Sequence, residues 1–385
     1  MTTLLTARQM LTPLERIEHA ALLIEDGSIA ALGPRAALSI PPSARVIDFG
    51  DAILTPGLID IHIHGAAGHD VMDASPDGLA AIERLMLRHG VTSYCPTTVT
   101  APIDQTLQAL ELLGRAAQER YAAGDRARPL GIHLEGPFLS HARRGVHSPL
   151  FLQPVSMELF SRMWDAAGGK VSILTIAPEL EGAQALIANA VGRGICVSIG
   201  HSNADLEHAM TGIRAGARHA THTFNAMRRL DHRDPGLLGA ILTDNSLTAD
   251  IIADGLHVRP EVVDLFLRAK GPDRAVLITD GISATGMPDG TYHLGSYQVT
   301  VKDGRCESYG KLAGSVLTMD RALQNVMHFA GVSFQDSVRM ATLNPARVLG
   351  IEGRKGTLRV GADADVVVFS PSGQVRQTIV GGIVG

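Results

Sequence analysis

Apolar residues recur along this 385-residue chain in two rhythms. In segments 79–89, 103–121, 157–167, 183–193, 206–215, 260–269 and 319–330 they return every three or four positions, the spacing of helices that bury one face. Between these segments lie short runs rich in β-branched residues. The first follows Pro56-Gly57, and the others are 91–98, 129–135, 171–178, 195–201, 217–222, 248–254 and 275–280. Strands alternating with helices in this way predict an α/β fold, a (β/α)8 barrel.

Both ends of the chain read differently. Residues 1 to about 54 alternate as short strands and turns, with a hairpin-like turn at Glu25-Asp26-Gly27-Ser28, and 361–369 and 375–384 are again strand-like. This predicts one small β domain assembled from both ends, 1–54 and 355–385, flanking a barrel at 55–354. Segment 289–308 has the Gly-rich character of a hairpin inserted after the last barrel strand.

Composition narrows the function classes. With 45% hydrophobic and 19% charged residues the chain is a folded globular protein, and its net charge of -5 argues against a general nucleic-acid binder. A local basic patch still suffices for a small anionic substrate. Cys95, Cys196 and Cys306 are too few and too scattered for a disulfide framework or a thiolate cluster, which fits a reducing cytoplasm. The N-terminal residues lack the pattern of a secretion signal, and no run is apolar for long enough to span a membrane.

The candidate chemistry lies at the C-terminal ends of the predicted strands, where barrels of this kind build their active sites. In Asp60-Ile61-His62-Ile63-His64 the two-residue repeat of an extended chain sends both imidazoles to one face. Taken alone, such a pair reads equally well as two partly buried histidines bonded to backbone. The third strand, however, ends in His133-Leu134-Glu135-Gly136-Pro137, the fifth in Gly200-His201, the sixth in His219-Ala220-Thr221-His222 and the eighth in Thr279-Asp280. Imidazole and carboxylate recurring at five strand ends predict a site for Zn²⁺ or another first-row divalent ion. Asp280 is set apart as the acid and base that moves a proton from water to a leaving amine. No Gly-x-Ser-x-Gly elbow is present. His19, His89, His208 and His328 fall outside the pattern and are assigned ordinary surface or core roles.

Two loops are locally basic, His141 to His147 after the third strand and Asn225 to Arg233 after the sixth. Both are expected to open on the catalytic face and to suit an anionic group such as phosphate, because guanidinium matches its geometry. Asp254-Gly255-Leu256-His257 brings one more imidazole to the same rim.

Together, His62-x-His64, His133-Leu-Glu-Gly-Pro137, Gly200-His-Ser-Asn203, Thr221-His222 with Asn225-Ala-Met227, Asp234-Pro-Gly236, Asp254-Gly-Leu-His257 and Thr279-Asp280 resemble the N-acetylglucosamine-6-phosphate deacetylase family of the amidohydrolase superfamily. The resemblance runs from about residue 20 to the C-terminus. It implies a distorted barrel with a small β-sandwich, usually a homodimer, that hydrolyses an N-acetylated sugar 6-phosphate to the amine and acetate. It further implies that Glu135, His201 and His222 hold the principal metal and that His147 steadies the acetyl oxygen. Val146, Asn225, Ala226, Asp254, His257 and the Leu312-Ala313-Gly314 loop would line the sugar phosphate, with Arg233 reaching in from the neighbouring subunit. Some members carry Gln-x-Asn at the position of His62-x-His64 and are associated with one metal, so the two imidazoles here imply room for a second ion bridged by Glu135.

Two other readings compete. A cyclic-amide hydrolase on the same scaffold often bridges its metals with a lysine after the fourth strand, and this chain has Ile176-Ala177-Pro178-Glu179 there. A non-catalytic relative would be expected to have lost ligands or the acid, whereas every position is filled. The gluco or galacto identity of the sugar is left open.

Overall fold

The computed structural model describes residues 2–119 and 124–384. Its central feature is a ring of parallel strands. Leu58–Ile63, Val91–Thr98, Ile132–Glu135, Val171–Ile176, Cys196–Ile199 and His219–Ala220 are hydrogen-bonded in succession, and Ala249–Ile252 pairs with Ala275–Ile278. Backbone bonds beyond the regular strands close the two gaps. The Ala220 N–H donates to Thr248 O at 3.0 Å and Thr223 N–H to Asp250 O at 2.9 Å, while Asp280 N–H donates to His62 O at 2.9 Å and His64 N–H to Gly281 O at 2.8 Å. The barrel therefore closes through the residues that carry the candidate chemistry.

Two strands differ from expectation. The third divides into Arg128–Pro129, paired with Val91–Thr98, and Ile132–Glu135, which keeps that neighbour and adds Val171–Ile176 on its other side; between them Leu130 N–H bonds to Tyr94 O and Ile132 N–H to Lys170 O, each at 2.8 Å. The sixth keeps only His219–Ala220 in regular geometry, since His222 already has a positive φ of 29°.

The seven predicted helices occur as Pro76–Arg88, Ile103–Gln118, Met157–Ala166, Ala183–Gly192, Leu206–Ala215, Pro260–Lys270 and Met319–Ala330. Tyr121, the expected end of the second, lies outside the described residues. Side chains of Ser75, Ser156 and Asp205 cap three of them by accepting a first-turn N–H. Three further helices, Gly236–Thr243, Phe334–Met340 and Leu343–Val348, had no clear sequence signal. Gly236-Leu-Leu-Gly-Ala-Ile is buried throughout and so shows no polar face.

Strands from both termini join one eight-stranded sheet. Its strands Thr2–Leu11 and Arg16–Glu25 run ten residues each, longer than the short strands expected. Thr2–Leu11 pairs along one edge with Arg16–Glu25, and along the other first with Arg45–Asp48 and then with Ile53–Pro56. Val366–Phe369 lies antiparallel to Ile53–Pro56. Alternation makes this strand a seam: Val366 and Val368 pack with Leu5, Leu22 and Leu54 inside the terminal sheet, whereas Val367 and Phe369 join the barrel core. Ile53–Pro56 runs through Gly57 directly into the first barrel strand, so the sheet anchors the segment bearing His62 and His64.

The predicted insertion is a four-stranded antiparallel sheet, Gly290–Leu294, Tyr297–Lys302, Arg305–Ser308 and Lys311–Leu312. Leu294, Val299, Val301 and Cys306 pack it onto Ile282 and Ala313, beside the mouth of the barrel.

Candidate metal centre and active site

Each strand end that carries a candidate ligand delivers it to one small volume. Glu135 Oε1 lies 3.0 Å from His222 Nε2 and 3.2 Å from His201 Nε2, and the two imidazole nitrogens are 2.9 Å apart. Three donor atoms with these edges can all lie about 2.0–2.2 Å from a common point, the range for zinc with nitrogen and oxygen ligands. A second group faces the first. His62 and His64 Nε2 are 3.3 Å apart, and Asp280 Oδ1 is 3.5 and 3.2 Å from them. Glu135 spans the two groups, its Oε1 3.4 Å from His62 and its Oε2 3.4 Å from His64.

Local backbone geometry explains the convergence. His201, His222 and Asp280 have φ values of 46°, 29° and 51°, a left-handed conformation that is costly for residues with a Cβ and concentrates at functional sites. Each strand thus leaves its extended path at the functional residue. Gly145 sits against this cluster at φ 61°, where an added Cβ would lie 3.3 Å from the His201 ring.

Neighbouring groups decide what each imidazole presents. His64 Nδ1–H donates to Thr97 O at 2.9 Å and His201 Nδ1–H to Arg143 O at 3.1 Å. A carbonyl can only accept, so both rings turn a lone pair on Nε2 toward the centre, as a metal ligand must. His222 is held through its backbone N–H, which donates to Asp250 Oδ1. One layer below, Asp60 accepts from the N–H groups of His62 and Thr279 and from the Thr279 hydroxyl, tying the first strand to the eighth. His133, which shares the face of Glu135, is engaged by Ile61 O at 3.0 Å and Thr175 Oγ1 at 2.7 Å.

The electrostatics fit a cation. Burial pushes the Glu135 and Asp280 carboxyls up, but the surrounding histidines outweigh it, holding Glu135 well below its usual range and Asp280 at about 2. Burial likewise opposes charge on the rings. His222 is nonetheless raised to about 9 by Glu135, while its close neighbour His201 is lowered to about 4. Rings 2.9 Å apart cannot both hold a proton between them. Two buried carboxylates encircled by imidazole nitrogens are the donor set of a first-row divalent ion.

A cavity of roughly 560 Å³, counting its open mouth, lies over the cluster. Of the residues expected to contact substrate, Val146, His147, Asn225, Ala226, His257, Leu312 and Gly314 line it. Ala313 is buried behind the wall. Asp254 also stands back, accepting from His257 Nδ1 at 2.7 Å. Arg233 is exposed and does not line the cavity of its own chain. Among the other loop arginines, Arg143 bonds Asn203, Arg144 bonds His147 O and Arg228 pairs with Asp234. His89 and His208 take ordinary roles beside Asp320 and Asp205. Missed by the sequence reading were Val99 and Leu294 in the wall and the supports Asp60, Thr97, Thr100 and Asp250. The Thr97-Thr98-Val99-Thr100 run was the available signal, a polar end to a strand with no ligand of its own.

Residues 53–384 match the model of the amidohydrolase family, and the chain belongs to that family. Within it, the chain is similar to amino-sugar phosphate deacetylases. It is 38% identical over 374 residues to N-acetylglucosamine-6-phosphate deacetylase of Bacillus subtilis, covering 96% of this chain and 93% of the relative. It is 38% identical over 378 residues to N-acetylgalactosamine-6-phosphate deacetylase of Escherichia coli O157:H7, covering 98% and 97%. The solved N-acetyl-D-glucosamine-6-phosphate deacetylase of Mycobacterium smegmatis superposes with a TM-score of 0.91 at 35% identity, over 99% of each chain.

Proposed function

We propose that this protein hydrolyses the N-acetyl group of N-acetylglucosamine 6-phosphate, giving glucosamine 6-phosphate and acetate in amino-sugar catabolism. The observation that carries the reading is the meeting of Glu135, His201 and His222 within 3.2 Å of one another, with Asp280 opposite, under a cavity lined by His147 and His257. Glu135, His201 and His222 would hold the principal ion, most simply Zn²⁺, and His62 and His64 would hold a second, with Glu135 shared.

An ion in this place lowers the pKa of water and polarises the acyl carbonyl. Asp280, ionised at neutral pH, takes a proton from the water as its oxygen bonds to the carbonyl carbon, and returns one to nitrogen as the C–N bond breaks. His147 donates a hydrogen bond to the acyl oxygen while negative charge builds there. His257, braced by Asp254, turns Nε2 toward the sugar phosphate, with Asn225, Ala226 and the 312–314 loop along the sugar. Arg233 would complete the phosphate site from a second subunit of a homodimer. A cytoplasmic location and a division into a barrel at 55–354 and a terminal β-sandwich at 1–54 and 355–385 belong to the same proposal.

Acetate release should be compared for the gluco and galacto 6-phosphates and the unphosphorylated sugar, beside ring opening of dihydroorotate, on protein of known metal content. The reading predicts turnover of a 6-phosphate, with the gluco epimer preferred. The equal identity to a galactosamine enzyme makes that epimer the second reading. Equal cleavage of the unphosphorylated sugar would overturn the roles of His257 and Arg233, and ring opening alone would overturn the deacetylase assignment.

A further inference from the structure

We propose that Thr100 is a positioning residue that fixes the tautomer of His147, so that this ring offers the cavity an N–H and not a lone pair. The proposal rests on the deacetylase reading only for the use to which that N–H is put.

His147 lies among potential ligands. Its Nε2 is 3.4 Å from Glu135 Oε2, and by proximity alone it groups with Glu135 and His201 as a third metal donor. The far side of the ring argues otherwise. The backbone N–H of Thr100 points at His147 Nδ1 across 3.3 Å, and the Thr100 hydroxyl lies 2.8 Å from the same atom. An amide N–H can only donate, so Nδ1 must accept and carries no proton. The hydroxyl, facing the same lone pair, donates as well. The ring's one proton therefore resides on Nε2, directed at the cavity. His64 and His201 present the reverse arrangement, because their Nδ1 atoms meet carbonyl oxygens. The chemical nature of the outer partner thus sorts three neighbouring rings into two ligands and one donor.

The surroundings keep this arrangement in register. Tyr297, from the inserted sheet, accepts the Ser148 N–H at 2.6 Å and donates its hydroxyl to Thr100 O at 3.4 Å, clasping the segments on either side of the contact. Arg144 donates to His147 O at 2.5 Å. With its orientation and tautomer set in advance, His147 meets the acyl oxygen without rearrangement.

Thr100→Ser and Thr100→Ala, which differ only in the hydroxyl, test the proposal in the metal-loaded enzyme. The alanine variant should lose about tenfold in kcat relative to the serine variant, with KM and bound metal equal in the two. Nitrogen NMR of labelled histidine, with His147 assigned through His147→Gln, should show Nε2–H and bare Nδ1 in the wild type and in Thr100→Ser, and a measurable share of the Nδ1–H tautomer in Thr100→Ala, where the 2.8 Å hydroxyl contact is gone and the longer 3.3 Å amide contact holds the ring alone. A wild-type His147 protonated at Nδ1, equal kcat in the two variants, or a loss of metal specific to Thr100→Ala would each overturn it. If no acetylated sugar is turned over, the functional reading fails, and the NMR result still decides the tautomer.

Discussion

Replacing Asp280 with Asn removes the proposed proton carrier while changing little else. Asp280 is buried, and its backbone sits at φ 51°, a region that Asn tolerates better than most residues, so the fold should persist. The amide keeps an oxygen for His64, now 3.2 Å from Asp280 Oδ1, but cannot take a proton from water at neutral pH. Loss of a positioned general base costs typically 10²–10⁴-fold, and a fall in kcat of about 10³ corresponds to roughly 4 kcal/mol of lost transition-state stabilisation. The Glu135, His201 and His222 atoms are untouched, so the ion proposed to bind there should remain. Any loss of metal should come from the group of His62 and His64, to which Asp280 contributes its charge. Steady-state acetate release combined with elemental analysis separates the two effects. A kcat within tenfold of wild type, at equal metal content, would refute the role assigned to Asp280.

Three further changes probe other parts of the structure. The double replacement His62→Gln with His64→Asn should lower bound metal toward one ion per chain while Glu135, His201 and His222 keep theirs; an unchanged metal count would refute a second site on these rings. Gly314 has φ 59°, and a Cβ there would fall 2.3 Å from Ile282 Cγ2 and 3.0 Å from Asp280 O. Gly314→Ala should therefore destabilise the fold by about 2–4 kcal/mol and lower kcat through displacement of Asp280, and an unaltered melting temperature would contradict this. Glu83 is buried and accepts the Tyr94 hydroxyl at 2.9 Å; burial raises its pKa from 4.5 to about 7 against the pull of Tyr94 and Arg126. The folded state then binds this proton more tightly than the unfolded chain, so the associated stability is full below about pH 4.5 and is lost as pH rises through about 7, by up to roughly 3 kcal/mol. Glu83→Gln should remove that dependence, and denaturation at pH 4.5 and 8 showing a constant difference from wild type would refute it.

Periodicity revealed most of the barrel because its helices are amphipathic and its strands apolar. It failed where tertiary surroundings override the local pattern, as in the largely buried helix Gly236–Thr243 and in the third strand, which is interrupted near Gly131. The candidate ligands could be listed from strand ends because ionisable residues are conspicuous in apolar runs. Their supports could not: Thr97 holds His64 through its carbonyl, a group every residue carries, and Thr100 holds His147 partly through its amide N–H, which every residue but proline carries. The left-handed turns at His201, His222 and Asp280 were equally hidden, since residues with a Cβ give no warning of positive φ. The basic loops were read from charge alone, and their arginines proved largely engaged with neighbouring loop groups.

The central claim is that Glu135, His201 and His222 together hold an ion on which deacetylation depends. Protein stripped by a chelator and titrated with Zn²⁺, with acetate release from N-acetylglucosamine 6-phosphate followed at each step, tests it most directly. Activity should rise in proportion to bound metal and level off by two ions per chain, and Glu135→Gln should lose both the uptake and the activity. Full activity in the stripped protein, or undiminished metal uptake and turnover in Glu135→Gln, would contradict the account.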